Sequence, residues 1–318
     1  MVVLLASLAP AATCPASPEL RDDDDVLTVL AQNMQLIAVG PVRTERGAVL
    51  GRWLDGPGAA VDLLFLSEGR DLDPLSAAMP DWCLYVQAGS GMEGYRWELA
   101  GGERSPGGLV LGVRQRPEGV LRSLDGLAGR VFRARSVSLA EGLLGRLAGF
   151  AKGWAGVGWD GARLVWTHAQ ASYDRHPAAG AGREGVGRAG QMQDLADDLG
   201  RSDAPVLVTG DLNALDGFAS GDEEIRAAGE VDRGTLDRFF VRTGIRFGRG
   251  PCAGGSFLGS VFRDQPSDSA IAGASLDRVG LNAAFEANHP DTRVACAEIA
   301  EGRLRVSDHR GLLISVPH

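Results

Sequence analysis

Residues 206–213, Val-Leu-Val-Thr-Gly-Asp-Leu-Asn, run an apolar segment directly into Gly210, Asp211 and Asn213. Glycine permits a tight backbone turn at such a point. Strand alternation lets Asp211 and Asn213 point to one side, toward a shared phosphate or metal. Near the other end of the chain, Ser307-Asp308-His309 precedes the last apolar run. An aspartate beside a histidine can ligate a metal while another carboxylate fixes the ring's tautomer. Because histidine ordinarily titrates near neutrality, His309 could accept a proton from attacking water. Asp277 is charged among apolar neighbours, and either orients His309 or pairs with Arg278.

Three further positions offer related chemistry. Asn33 follows the strand-like residues 26–32, and Glu68 follows the apolar run 63–66. A carboxylate at a strand end is a hard oxygen ligand of the kind Mg²⁺ accepts, with an amide oxygen supporting it or its waters. His168 closes Trp-Thr-His, ahead of Gln170, Ser172 and Tyr173, where it could donate a hydrogen bond to a phosphoryl oxygen as charge builds. Each residue alone has a plainer reading: a turn former, a helix cap or a surface carboxylate. Their joint placement at the ends of apolar runs is what makes the set specific.

Those runs must be strands if they are to present the side chains. Residues 26–32, 61–66, 109–114, 163–168, 206–209, 276–281 and 312–316 are apolar, short and bounded by Gly, Asp or Pro. Residues 47–53 fit helix or strand equally. A helix is predicted over 190–199, with Met192, Leu195, Ala196 and Leu199 on one side, and residues 139–150 form a second amphipathic candidate. Many strands with few, widely spaced helices point to two sheets packed face to face, with helices outside.

At 318 residues, 44 % apolar and 23 % charged, the composition is that of a globular protein with a large core. Thirty-two basic against 41 acidic residues give a net charge of −9, with no run of Lys or Arg. Tight nucleic-acid binding is disfavoured by that balance, although cleavage of nucleic acid is not. Residues 1–13 are apolar and uncharged, resembling the hydrophobic part of a signal peptide without its basic start. They fall short of the roughly 20 residues a bilayer crossing takes. Their ending hints at a lipoprotein site at Cys14, and the acidic stretch 15–25 reads as an exposed linker. Cys14, Cys83, Cys252 and Cys296 are too widely spaced for a zinc site. They form one or two disulfides in an exported protein, Cys252–Cys296 being the first pair to test, or remain buried thiols. Oligomeric state leaves no sequence signal.

Taken in order, Asn33, Glu68, His168, Asp211 with Asn213, Asp277, and Asp308 with His309 resemble the endonuclease/exonuclease/phosphatase superfamily, the deoxyribonuclease I-like fold. The resemblance runs over residues 26–316. Within it, the chain is most similar to neutral, bacterial-type sphingomyelinases. Lys152-Gly153-Trp154-Ala155 looks like their Lys-Gly-hydrophobic element, and residues 167–171 resemble their Thr-His-x-Gln-Ala stretch. Arg188 and Gln191 at the head of the predicted helix are similar too. Gln32 departs from the pattern, standing where an aromatic residue or His is usual before the motif Asn. Gly69 and Arg70 follow Glu68 where an apolar residue is usual. Between Asp277 and Asp308, Phe285 is the one aromatic residue, so the exposed aromatic hairpin of the secreted sphingomyelinases is not evident.

The resemblance implies a four-layer αββα sandwich of two mostly antiparallel sheets flanked by helices. Residues 26–318 would form one catalytic domain after an N-terminal segment, 1–25. It implies Mg²⁺, or another divalent cation such as Mn²⁺, held by Glu68 and Asn33 with Asp211 and Asp308. His309 would be the general base, oriented by Asp277. Asp211 and Asn213 would position the water or a second ion, and His168 would stabilise the transition state. Asp308 would support the metal or the His168 network. The substrate implied is a phosphoester, with a phospholipid headgroup at a membrane surface first in line. A nuclease, a phosphomonoesterase and a non-catalytic binding protein on the same fold are the alternatives.

Overall fold

The computed structural model describes residues 14–22, 25–36, 42–69, 72–88, 96–100, 108–124, 129–132, 152–169, 183–248, 250–265, 267 and 269–318. The signal-like residues 1–13, the amphipathic candidate at 139–150, and Arg70, Gln170, Ser172 and Tyr173 lie outside that set.

Two sheets carry the architecture. The first uses β2 (Val26–Leu36), β3 (Leu63–Gly69), β4 (Trp82–Ala88), β5 (Arg96–Leu99), β6 (Val110–Arg114), β14 (Arg293–Ala297) and β17 (Gly311–Pro317), in the order β14-β17-β2-β3-β6-β4-β5. The second uses β8 (Arg130–Val131), β9 (Gly153–Trp159), β10 (Ala162–His168), β11 (Val206–Asp211), β12 (Arg246–Phe247) and β13 (Asp277–Leu281), in the order β12-β13-β11-β10-β9-β8. Pairing is antiparallel except for β2 with β3 and β10 with β11. Two short strands, β15 (Ala300–Glu301) and β16 (Leu304–Arg305), pair with each other outside both sheets. Each parallel pair is joined through a helix, as a parallel crossover requires: α1 (Arg43–Asp55) in the first sheet and α3 (Arg183–Leu199) in the second. Helices α2 (Asp73–Ala78), α4 (Glu223–Thr243) and α5 (Ala283–Asn288) complete the described helices.

Strand alternation divides the core into layers. Leu27, Val29, Ala31, Leu63 and Phe65 face Leu164, Trp166 and Leu207 between the sheets. Leu30, Met34, Leu64 and Leu66 turn outward onto Val49, Leu50 and Leu54 of α1 and Leu75 of α2. On the far side, Val165, Val206 and Val208 meet Met192, Leu195, Ala196 and Leu199 of α3 and Phe239 of α4. The fold is therefore the four-layer αββα sandwich. Stacked rings of Phe65 and Trp166, with centroids 4.2 Å apart, join the two sheets directly beneath the ends of β3 and β10. Residues 47–53, open between helix and strand in sequence, belong to α1 because their apolar positions cover the outer face of the first sheet.

Residues 15–25 are not simply a linker. Glu19–Asp22 form β1, which pairs with β7 (Val120–Ser123). Leu20 is buried in the inter-sheet core. The partner strand lies about a hundred residues away, so the acidic run gave no local sign of it. Cys14 is bonded to Cys83, and Cys252 to Cys296. In this structure the Cys14 sulfur is engaged with Cys83, a pairing that competes with the lipoprotein reading of Cys14. Among the described residues, no helix is long and apolar enough to cross a membrane.

Candidate active site

The rows of side chains that fill the inter-sheet core continue past its edge as polar groups. Asn33 extends the row Leu27, Val29, Ala31 on β2. His168 extends Leu164 and Trp166 on β10, and Asp211 extends Leu207 and Thr209 on β11. Parity alone therefore aims all three between the sheets, at the end of the sandwich reached by the carboxyl ends of the parallel strands. Asp277 lies opposite Asp211 in the β11–β13 register and joins the same face.

Glu68 has the wrong parity, since Leu64 and Leu66 of its strand point outward. Its backbone departs from the strand instead, with φ of 56°. That left-handed conformation is costly for a residue with a Cβ. Glu68 Oε1 then lies 3.5 Å from His168 Nε2 and 3.6 Å from Lys152 Nζ.

Asp211 is the hub. Its Oδ2 accepts from Asn33 Nδ2 at 3.0 Å, and lies 3.6 Å from His168 Nε2 and 3.9 Å from His309 Nε2. Its Oδ1 accepts from the Asn213 N–H at 2.9 Å. Asn213 reaches the site through a left-handed turn, φ 51°, rather than by strand alternation, and its Nδ2 donates to Ala169 O at 3.0 Å. Gly210 does not make a turn. It stays within β11, where a Cβ would lie 2.1 Å from Thr167 O of the neighbouring strand, so glycine is required by close backbone approach.

His309 Nδ1 and Asp277 Oδ2 are 2.7 Å apart, both buried. Asp277 is held by its own backbone N–H, which donates to Ser256 Oγ at 2.9 Å. Arg278 does not take it, pairing with Asp216 instead. Ser307 Oγ donates to Asp308 Oδ1 at 3.2 Å. Burial, the largest single effect on His309, opposes its charged form, but Asp277, Asp211 and Asp308 outweigh it and hold the pKa well above 6.5. Burial drives Asp211 from 3.8 up to about 6, Asp277 adding to the rise while His309, Lys152 and Asn33 oppose it.

The structure thus brings Asn33, Glu68, His168, Asp211, Asn213, Asp277 and His309 into one connected cluster, with Asp308 close enough to act on His309. Sequence reasoning passed over Lys152 as a site residue. Its Nζ is 2.5 Å from His168 Nε2 and 3.1 Å from Nδ1. A signal did exist: it is the sole lysine among 32 basic residues.

Asp211, Asp277 and His309 offer ligand atoms within 4.8 Å of one another. The His309–Asp277 hydrogen bond already engages two of them. Asn33 and Glu68 add oxygen donors beside this group, of the kind a hard divalent cation accepts. A cation there would also offset the burial, and the nearby Asp277 charge, that lift Asp211. The residues present fit such an ion.

The four-layer sandwich thus carries a buried His–Asp pair and a cluster of polar and acidic side chains at one end. The chain belongs to the Endonuclease/Exonuclease/phosphatase family, whose pattern matches residues 18–309. No curated protein sequence matched. Solved structures similar to it include a mutant of Staphylococcus aureus beta toxin with bound magnesium ions: 13 % identity, TM-score 0.55, 91 % of this chain and 98 % of that one. Truncated Caenorhabditis elegans TDP2 gives 14 %, 0.54, 92 % and 98 %. D. rerio TDP2 complexed with single strand DNA product gives 13 %, 0.54, 93 % and 100 %. At these identities the likeness is one of fold.

Proposed function

We propose that this protein is a divalent-metal-dependent phosphodiesterase, sphingomyelinase-like, that removes a phospholipid headgroup by attack of a His309-activated water. The observation that carries the reading is the 2.7 Å His309–Asp277 contact, with the opposite ring nitrogen facing Asp211 across 3.9 Å. Asp277 holds the Nδ1–H tautomer, leaving Nε2 to accept a proton from water. Asp211 and Asn213 orient that water. His168 and Lys152 face the charge that develops on the phosphoryl oxygens.

Glu68 and Asn33, with Asp211 and Asp308, would hold Mg²⁺ or Mn²⁺; the beta toxin structure with magnesium supports this choice. When bound there, such an ion supplies Lewis-acid polarisation of a phosphoryl oxygen and relief of leaving-group charge. The net charge of −9 favours a lipid over a polynucleotide. The two disulfides support an exported protein.

A DNA-directed reading draws on the TDP2 structure holding a DNA product. Both readings are tested by a panel at fixed Mg²⁺: sphingomyelin, lysophospholipids, phosphoinositides, DNA, RNA and a generic phosphodiester. Chelator-sensitive release of phosphocholine is expected, and plasmid nicking without lipid hydrolysis would reverse the assignment. Glu68→Ala and His309→Ala should each lower turnover by at least about a hundredfold. Near-wild-type rates from either folded variant would remove these roles.

A further inference from the structure

The β2–β17 ladder runs from Val26↔Pro317 to Ala31↔Leu312 and then stops. Beyond it the two segments diverge, one carrying Asn33 and the other Asp308 and His309. Carbonyls at such a split lose their strand partners and need others. Two buried side chains supply them. Gln32 Nε2 donates to Asn33 O at 2.8 Å and to His309 O at 3.2 Å. From α1, Arg46 donates through Nε to Val306 O at 2.7 Å and through a terminal nitrogen to Met34 O. Four carbonyls, two from each segment, are thus tied across the gap by one amide and one guanidinium.

The arrangement is built into the surroundings. Arg46 is 0 % exposed and Gln32 3 %. At Gly311 a Cβ would lie 2.6 Å from Gln32 Oε1 and 2.9 Å from Leu30 Cδ1, so the amide has its place because residue 311 lacks one. Burying a guanidinium is costly, and burial lowers the Arg46 pKa to about 10 against the pull of Asp308 and Glu68. It stays charged at neutral pH, behind two of the proposed metal ligands.

We propose that Gln32 and Arg46 act together as positioning residues that set the distance between Asn33 and the Asp308–His309 segment, and so assemble the hydrolytic site. The inference rests on the reading of that site given above. Neither residue touches substrate; both act through the backbone they hold.

The test uses the full chain with Arg46→Lys, Arg46→Ala, Gln32→Leu and the Gln32→Leu/Arg46→Lys double variant. Hydrolysis of bis(p-nitrophenyl) phosphate, Mg²⁺ binding by calorimetry, and amide hydrogen exchange of the 304–311 peptide are measured. Each single variant should lower kcat at least tenfold with KM within threefold. The Mg²⁺ midpoint should rise severalfold, and 304–311 should exchange at least tenfold faster while sheet-core peptides hold. The double variant should lose much less than the product of the two single losses, because both act on one split. Millimolar guanidinium should restore part of the kcat of Arg46→Ala. If the Arg46 variants fail to fold, Gln32→Leu alone decides. Folded variants with wild-type 304–311 exchange would overturn the proposal even if no substrate is ever found. A wild-type protein inert on every phosphoester would instead refute the hydrolytic reading, leaving the exchange result to judge the positioning pair.

Discussion

Asp277→Asn is the substitution that most directly interrogates the dyad. The 2.7 Å contact with His309 couples a buried carboxylate to a buried imidazole. At an effective dielectric of 20, unit charges roughly 4 Å apart interact by about 4 kcal/mol, equivalent to about three pH units. Asp211 and Asp308 also hold the His309 proton, so the visible change should be on the order of one to two pH units. The sign follows from the charge. Removing Asp277's carboxylate makes protonated His309 less stable, so the acid limb of kcat against pH moves to lower pH. The plateau should fall by about 10²–10⁴-fold, since the amide no longer enforces the Nδ1–H tautomer or stabilises the imidazolium. Stability supplies an independent check. A histidine whose folded pKa is raised contributes stability fully present below its unfolded value near 6.5, and lost as pH rises through the raised one. Asp277→Asn should therefore cost about 1.5–3 kcal/mol at pH 6 and progressively less under alkaline conditions. The assay is a pH series of single-substrate kinetics beside urea unfolding at matched pH. A folded variant with an unmoved acid limb and a plateau within threefold of wild type would refute the dyad.

Three further outcomes are expected. Asp211→Asn should abolish turnover yet raise the melting temperature of metal-free protein at pH 8 by a few degrees. A carboxyl lifted by burial from 3.8 to about 6 is held ionised at a cost on the order of a few kcal/mol. That cost vanishes below pH 4, where wild type and variant should melt together; an equal gain at all pH values would contradict the account. Lys152→Met should lower kcat about tenfold or more with little change in fold, and an unchanged rate would show that the ammonium beside His168 has no part in the chemistry. Asp232→Ala should destabilise by about 3–5 kcal/mol by stranding the buried Arg188 and freeing Leu215 N–H, just after the Asp211–Asn213 turn. Calorimetry showing less than about 1 kcal/mol would contradict that assignment.

Much of the site was legible because its signals are local. Period-2 alternation places Asn33, His168 and Asp211 on the core-facing side of their strands, and the sequence shows that alternation directly. Glu68 illustrates the limit: its parity points away, and a left-handed backbone that no sequence pattern announces turns it inward. The Asn213 turn and the close approach over Gly210 are equally invisible, because both depend on where a neighbouring strand lies.

By itself, the sequence determined which side chains can do chemistry, that apolar strands carry them, and that two sheets with outer helices would bury those strands. Only the tertiary structure decided that β2–β3 and β10–β11 run parallel and set their ends facing across the core. The same is true of Lys152 beside His168, of Gln32 and Arg46 across the β2–β17 split, and of β1 tied to β7 with Cys14 bonded to Cys83. The physical reason is one of range. Alternation and turn chemistry act over a few residues, whereas these contacts join segments from 16 to 277 positions apart, and burial of the whole core selects them together.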